Sequence, residues 1–204
     1  MNPIWERCLE LALVSMSHRS LAIAAVITTA EGRVLAWGRN QLYDASESGN
    51  KIVNNPIAHA EVNAIANLPV ENRNDPGLTL YTTLEPCPMC MGAITMARIR
   101  TLVIAARDTW AGSTNLTKFS PYIASKQFKI SFEQGEIEKL FCVLNFCSLL
   151  NCKAEFSLQL DFMQKLQQQN PAYMDLAVRL SRDTDFQNCV KAHNTRLVSD
   201  LVLT

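Results

Sequence analysis

Apolar residues recur along the chain with two different periods, and the changes between them outline the secondary structure. From Ile4 to Met16 the apolar positions follow helical spacing, which predicts an amphipathic first helix. Leu21 to Thr29 is an apolar, partly β-branched run, and Arg33 to Gly38 resumes after a turn that contains Gly32. Two such runs on either side of a glycine turn predict a β-hairpin.

After the hairpin, Asn40 to Asn55 is polar and predicts a loop, and helical and strand-like patterns then alternate. The predicted elements are a helix over Ala58–Leu68, a strand over Leu78–Thr83, a helix over Pro88–Arg98, a strand over Thr101–Ala106 and a short strand over Phe128–Phe132. This alternation predicts an α/β fold, a mixed sheet with helices packed on its faces. From Gln134 onward the pattern is helical, and Pro171 should end one helix and open the next.

Length, composition and charge then narrow the class of protein. A chain of 204 residues with 48% hydrophobic and 19% charged residues is typical of a globular protein with a sizeable core. The formal net charge of zero argues against a surface built to attract a polyanion. No apolar run is long enough to cross a membrane, and the acidic start is unlike a secretory signal. Seven scattered cysteines fit a reducing compartment, so we predict a cytoplasmic protein without a membrane partner.

Two short motifs carry the candidate chemistry, and each lies at the start of a predicted helix. They are His59-Ala60-Glu61 and Pro86-Cys87-Pro88-Met89-Cys90. One histidine and two cysteines suit zinc, and three protein ligands with a fourth position for water are typical of catalytic zinc sites. Two thiols three positions apart at a helix start can face one point, where the helix amides favour the thiolate form. We therefore predict that His59, Cys87 and Cys90 bind Zn²⁺.

Glu61 is predicted to move protons rather than to bind the metal. A carboxylate beside an activated water can take its proton and pass it to a ring nitrogen and a leaving amine. The alternatives for the cysteine pair are a structural zinc site or a redox site. A structural site would call for further ligands, and His18 and His193 are isolated from other candidates. Glu85 lies at a strand end before Pro86, where it is predicted to hold the backbone.

In these motifs the chain resembles the cytidine deaminase-like superfamily, in the branch that contains nucleoside, guanine and tRNA adenosine deaminases. The resemblance runs from about Ile4 to Asn151. The matching pieces are Gly38-Arg39-Asn40, Asn55-Pro56-Ile57-Ala58-His59-Ala60-Glu61-Val62, the run from Leu80 to Ile94, Ala106-Arg107-Asp108 and Ala111-Gly112. The resemblance implies a three-layer α-β-α sandwich around a mixed five-stranded sheet, with C-terminal helices added. It also implies zinc at the N-termini of two adjacent helices, with a catalytic glutamate that is not a ligand.

The resemblance further implies two substrate-binding residues. Asn40 matches a family position that hydrogen-bonds the substrate; as an alternative it is a turn residue that closes the second strand. Asp108 follows the fourth strand, near the pocket mouth in these enzymes, and a helix-cap or loop role is the alternative. We predict a zinc-dependent deaminase domain over residues 1–152 and a helical C-terminal extension over residues 153–204, packed on the same domain.

Two departures from the family bear on the substrate. The loop between Asn40 and His59 is longer than in compact tRNA-editing members. The C-terminal extension has six basic and six acidic residues, unlike the basic helix expected of a tRNA binder. The main prediction is a homodimeric hydrolytic deaminase of a small aminated nucleobase or nucleoside of the guanine, cytosine or adenosine type, which releases ammonia. The first alternative is a tRNA-specific wobble adenosine deaminase, and the second is a non-catalytic, zinc-stabilised interaction module.

Overall fold

The computed structural model describes residues 1–45, 52–152, 164–168 and 170–204. In chain order its elements are α1 (Pro3–Ser17), β1 (Ala24–Thr28), β2 (Val34–Arg39), α2 (Ala60–Asn67), a 3₁₀ turn (Val70–Asn72), β3 (Thr79–Leu84), α3 (Pro88–Met96), β4 (Thr101–Ala106), α4 (Leu116–Phe119), α5 (Pro121–Ala124), β5 (Lys129–Phe132), α6 (Glu136–Asn151), α7 (Pro171–Arg182), α8 (Thr184–Lys191) and α9 (Thr195–Leu203). Residues 164–168 are also helical. None of the helices in these ranges is both long and apolar enough to cross a membrane.

The five strands form one mixed sheet in the order β2-β1-β3-β4-β5. β1 is antiparallel to β2 and to β3, and Val26 pairs with Trp37 on one side and with Tyr81 on the other. β3, β4 and β5 run parallel, with Leu80 opposite Leu102. All five residues of β1 are buried, as expected for a central strand that is covered on both faces.

Helices cover the sheet in two groups. α2 lies against β1 and β2 and contacts α3, whereas α1 and α6 contact each other and lie against β1, β3 and β4. The ring of Trp5 on α1 meets Tyr81 of β3 edge to face at a centroid distance of 5.6 Å and packs beside Phe141 of α6. These contacts join helix, strand and helix in one core, and they confirm the α/β fold with a mixed five-stranded sheet.

The described helices beyond residue 163 extend that core. α7 packs against α6, α8 against α1, and α9 against α6 and α8. Phe186 and Val198 are fully buried, and Lys139 Nζ of α6 donates to the carbonyl of Leu203 at 3.2 Å. The extension therefore contacts the sheet-bearing part of the chain; a domain boundary at residue 152 stays a prediction.

Element bounds differ from the predicted ones where long-range contacts decide them. The first strand begins at Ala24 rather than Leu21, because the Ala22 amide donates to Ser148 Oγ of α6 and not to a neighbouring strand. The four-residue helices α4 and α5 were not predicted. The loop predicted over Asn40–Asn55 has no helix or strand in its described part, and residues 46–51 lie outside the described residues.

Candidate active site

The start of α2 positions the first motif. His59 is the N-cap residue, with an extended backbone, and its carbonyl accepts the amide of Asn63 at 2.9 Å. α2 lies very close to β2 at Gly38, where an added Cβ would be 2.3 Å from the carbonyl oxygen of Ala60 and 2.3 Å from the amide nitrogen of Ala64. Only glycine permits this approach, so Gly38 fixes the distance between the sheet and the helix that carries His59.

The start of α3 positions the second motif. Cys87 is the N-cap residue and Pro88 follows in the first turn, where the N–H that proline lacks has no helical partner to lose. The Cys87 carbonyl accepts the amide of Met91 at 2.9 Å, which begins the helix. Cys90 is in this first turn and is fully buried, so both sulfurs lie at the same helix end.

The two helix starts bring His59, Cys87 and Cys90 together. His59 Nδ1 lies 3.7 Å from Cys87 Sγ and 3.5 Å from Cys90 Sγ, and the three ligand atoms all lie within 4.8 Å of one another. In the described part of the chain, no other group of three such residues is close enough to hold a metal ion. Two sulfurs and one imidazole nitrogen form a donor set that suits zinc, and tetrahedral coordination by these three leaves one position for water or substrate.

Hydrogen bonds within the cluster shift the pKa values of the two thiols in opposite directions. A hydrogen bond from Cys90, helped by one from His59, lowers the pKa of Cys87 to about 4 despite its partial burial. The same bond, with burial, raises the pKa of Cys90. Cys87 is thus a thiolate near neutral pH, which is the form that binds metal.

Glu61 lies beside the cluster. Its side chain is only 3% exposed; Oε2 is 3.4 Å from Cys90 Sγ, and Oε1 accepts from Thr82 Oγ1 at 3.5 Å. Burial raises the pKa of Glu61, although nearby positive charge and hydrogen bonds oppose this. A carboxylate so placed is close to the metal site without completing it.

A cavity of about 430 Å³ opens onto His59 and Glu61. Most of its wall is apolar, from Leu42 after β2, Phe146 of α6 and Leu166 of the C-terminal extension, among others. The cavity therefore combines two of the predicted metal ligands and Glu61 with a mostly apolar lining, the arrangement expected of a small-molecule site.

Asn40 lines this cavity and closes the turn after β2, the alternative role predicted for it; its role in substrate binding stays a prediction. It is fully buried, and its Oδ1 accepts the Leu42 amide at 3.2 Å, which closes the turn after β2. Its Nδ2 has no hydrogen-bond partner among the described residues. The backbone of Asn40 is anchored by Ile23 and Ser15, so the side chain is held at a fixed place.

Asp108 also lines the cavity, but its Oδ1 accepts the amides of Trp110 and Ala111, both at 2.9 Å. Burial raises the pKa of Asp108, against these two hydrogen bonds. Glu85 Oε1 accepts the amide of Thr114 at 3.2 Å and its hydroxyl at 2.5 Å, the backbone-holding role predicted for it. Both carboxylates therefore shape the loop after β4.

Asn145 was missed by the sequence reasoning. It lies on α6 and lines the cavity, and its Oδ1 has no hydrogen-bond partner among the described residues. The only signal in the sequence is an asparagine inside an otherwise apolar run, Val143 to Cys147. The sequence alone does not show which face of α6 borders the cavity, so it could not place Asn145 at the site.

Comparisons with known proteins agree with this geometry. Residues 3–106 match the model of the cytidine and deoxycytidylate deaminase zinc-binding region. The chain is 37% identical over 111 residues to the tRNA-specific adenosine deaminase of Agrobacterium fabrum, an alignment that covers 52% of this chain and 67% of that protein. It is 37% identical over 113 residues to the guanine deaminase of Bacillus subtilis, covering 53% and 58%.

A solved structure from work on A-to-I editing by tRNA:A34 deaminases superposes with a TM-score of 0.53 at 30% identity, covering 64% of this chain and 96% of the other. The match to a zinc-binding region and the donor set of His59, Cys87 and Cys90 identify zinc as the cofactor. The chain belongs to the cytidine and deoxycytidylate deaminase zinc-binding family.

Proposed function

We propose that the protein is a zinc-dependent hydrolytic deaminase of a small aminated nucleobase or nucleoside. The observation that carries the proposal is the buried Glu61 carboxylate beside the cluster of His59, Cys87 and Cys90, at the lining of a mostly apolar cavity. The family match and the guanine and tRNA adenosine deaminases among the relatives support the same reaction class.

Each of the site residues has a separate role in the proposed reaction. Zinc, held by His59, Cys87 and Cys90, supplies Lewis-acid activation of water near neutral pH. Glu61 accepts a proton as water attacks the ring carbon that bears the amine, and it delivers that proton to the adjacent ring nitrogen. Glu61 then takes the remaining proton of the water, from the new hydroxyl on the ring carbon, and delivers it to the amine; the C–N bond breaks, and ammonia leaves a ring carbonyl behind. Asn40 Nδ2 donates a hydrogen bond that orients the ring.

The lining of the cavity favours a small substrate over a polynucleotide. Glu61, Glu85 and Asp108 all line it, whereas Arg107 is its only lysine or arginine among the described residues. The Arg107 guanidinium lies 3.8 Å from the ring centroid of Phe132. A site that binds a chain of phosphates needs several cationic contacts, and this lining does not provide them.

Deamination of a tRNA wobble adenosine is the second candidate. It is favoured by the 37% identity to the Agrobacterium fabrum enzyme and by the fold match to the tRNA:A34 deaminase structure. It predicts inosine in the anticodon of a tRNA and salt-sensitive binding of the anticodon stem-loop.

The proposal is tested by metal content and ammonia release. The purified protein should carry one zinc per chain and release ammonia from one or more of guanine, cytosine, cytidine, adenosine and dCMP. Glu61→Gln should keep the zinc and lose activity by about 10²–10⁴-fold, because it cannot take the proton. His59→Ala should lose both zinc and activity.

Glu71→Gln, at an exposed position on the 3₁₀ turn, is the matched control and should retain both. If the zinc-loaded wild type releases no ammonia from any compound of the panel, the small-molecule proposal is wrong. Formation of inosine in the anticodon stem-loop would support the second candidate instead. Full activity of Glu61→Gln would remove the role given to this residue.

The cytoplasmic location and the homodimer stay predictions. Of the methionines on α3 that could pack against a partner, Met91 is fully buried in the core, whereas Met96 is 70% exposed. An exposed methionine of this kind suits an adaptable apolar contact, and the half-buried Met89 leaves Met96 as the more exposed candidate for contact with a second subunit.

A further inference from the structure

One face of α6 forms a wall of the cavity. Cys142, Asn145, Phe146 and Leu149 stand at positions i, i+3, i+4 and i+7 of the helix, and all four line the cavity. This spacing places them on one helical face. Three of the four side chains are apolar, so Asn145 is the polar group of this wall.

The side chain of Asn145 is buried and unsatisfied. It is 7% exposed, and Oδ1 has no hydrogen-bond partner among the described residues. Its backbone carbonyl, by contrast, accepts Ser148 Oγ at 2.7 Å. Burying an amide oxygen without a donor is unfavourable, and such atoms are rare in folded proteins. A ligand in the cavity can supply the missing donor.

A second residue that lines the cavity has a buried, unsatisfied amide atom of opposite character. Asn40 Nδ2 is a hydrogen-bond donor without a partner, whereas Asn145 Oδ1 is an acceptor without one. Asn40 follows β2 and Asn145 belongs to α6, so the two amides reach the cavity from different elements. A ring that offers both an acceptor and an N–H would satisfy both.

We propose that Asn145 is a specificity-determining residue that accepts a hydrogen bond from a ring N–H of the substrate. This inference rests on the proposed deaminase function and narrows the substrate to a free aminated base with a ring N–H, such as guanine or cytosine. Adenosine and cytidine have no ring N–H, because the sugar occupies the nitrogen that carries the hydrogen in the free base. Phe146 and Leu149 beside Asn145 are poor partners for the hydroxyls of a ribose.

The first test compares ligands on the wild-type enzyme and needs no variant. Cytosine is compared with 1-methylcytosine, and guanine with 1-methylguanine and 9-methylguanine, by kcat/KM for ammonia release. Binding of each is also measured by calorimetry on zinc-loaded Glu61→Gln, which cannot turn substrate over. We expect methylation of the ring N–H that faces Asn145 to cost about 10–100-fold, since a site built to bond an N–H rejects an analogue without it. Equal binding of all methylated and unmethylated pairs would overturn the inference.

The second test replaces the side chain. Asn145→Leu keeps the size and removes the acceptor, so it should lower kcat/KM for the free base by about 10–100-fold and leave the methylated analogue unchanged. Asn151→Leu makes the same change on α6 at an exposed position that does not line the cavity, and should change neither. Zinc content and melting temperature are recorded for both variants.

The two levels of the proposal fail in different ways. If the wild type releases no ammonia from any base, the proposed function fails. If it does release ammonia but Asn145→Leu lowers activity equally on methylated and unmethylated rings, or not at all, only the role of Asn145 fails. A preference for the N–H ring that disappears in Asn145→Leu supports both.

Discussion

Among single residues, Asp44 is a buried carboxylate that depends on several polar partners. Its side chain is 1% exposed and forms an ion pair with Arg39, and it accepts hydrogen bonds from Gln41 Nε2 at 3.0 Å and Ser20 Oγ at 2.9 Å. Ser20 Oγ in turn accepts the amide of Tyr43, which lines the cavity. This buried network fixes the chain that leaves β2, and with it the wall next to Asn40.

The charge of Asp44 makes part of the stability depend on pH. Burial alone would raise the pKa of Asp44, but hydrogen bonds from Arg39, Gln41 and Ser20 and the charge of Arg39 lower it below its ordinary value. Its contribution is therefore complete above the ordinary aspartate pKa of about 3.9 and is lost as the pH falls through the lower folded pKa. We expect Asp44→Asn to reduce the free energy of unfolding by about 3–5 kcal/mol at pH 7, because it removes the carboxylate charge that faces the buried Arg39 guanidinium.

Urea unfolding of both proteins between about pH 7 and pH 3 measures this difference, which should narrow below about pH 4, where Asp44 is protonated in the unfolded wild type but still charged in the folded protein. Asp175→Asn, at an exposed position of α7, is the matched control and should differ from the wild type by less than about 0.5 kcal/mol throughout. A loss for Asp44→Asn that stays the same at every pH would contradict the role given to its charge.

Among the elements, the contact between β2 and α2 sets the geometry of the site. Gly38→Ala would place its Cβ 2.3 Å from backbone atoms of Ala60 and Ala64, so α2 must move away from the sheet. We expect a loss of about 1–3 kcal/mol in the free energy of unfolding, as for overpacked cores, together with weaker zinc retention because His59 lies at the start of α2. Thermal unfolding and zinc content after dialysis against a chelator measure the two effects.

The matched substitution is Gly92→Ala on α3, where an added Cβ meets nothing within 4 Å. Alanine has a higher helix propensity than glycine, so this variant should be more stable by about 0.5–1 kcal/mol. If the same substitution lowers the free energy of unfolding at Gly38 and raises it at Gly92, the effect at Gly38 comes from packing and not from helix propensity. A Gly38→Ala protein as stable and as zinc-rich as the wild type would show that α2 can shift without moving the site.

The elements with a clear local pattern could be predicted from the sequence. β4 was predicted with the bounds that it has, Thr101–Ala106, because its apolar run is short and bounded. The metal cluster was also brought together as predicted, since each motif fixes the start of its own helix. Asn145 could not be assigned in this way, because its role depends on how α6 packs over a cavity whose other walls lie far away in the sequence. α4 and α5 are too short to show a helical period.

At the scale of the whole molecule, the C-terminal extension and the deaminase fold share one cavity. Leu166 and Asn170 line it together with the metal-binding residues. Lys165 Nζ lies 4.5 Å from the ring centroid of Trp110, so the extension contacts the loop after β4. The extension therefore limits the space beside the metal site, and this favours a substrate small enough to be enclosed.

The neutral net charge of the chain suggests a test that distinguishes a small substrate from tRNA, by the dependence of activity and binding on salt concentration. Lysine and arginine together number 19, as do aspartate and glutamate, and the cavity lining in the described ranges has a single arginine and three carboxylates besides its histidine. Binding of a neutral base releases no counterions, so we expect kcat/KM for the best base of the panel to change by less than about twofold between about 50 and 200 mM salt. A protein that contacts six to ten phosphates would lose about 10³–10⁵-fold in affinity over the same range. To test this, initial rates of ammonia release and the affinity for an anticodon stem-loop are both measured at the two salt concentrations. A steep fall in stem-loop binding together with a flat, negligible rate on free bases would contradict the small-molecule proposal and point to tRNA as the substrate.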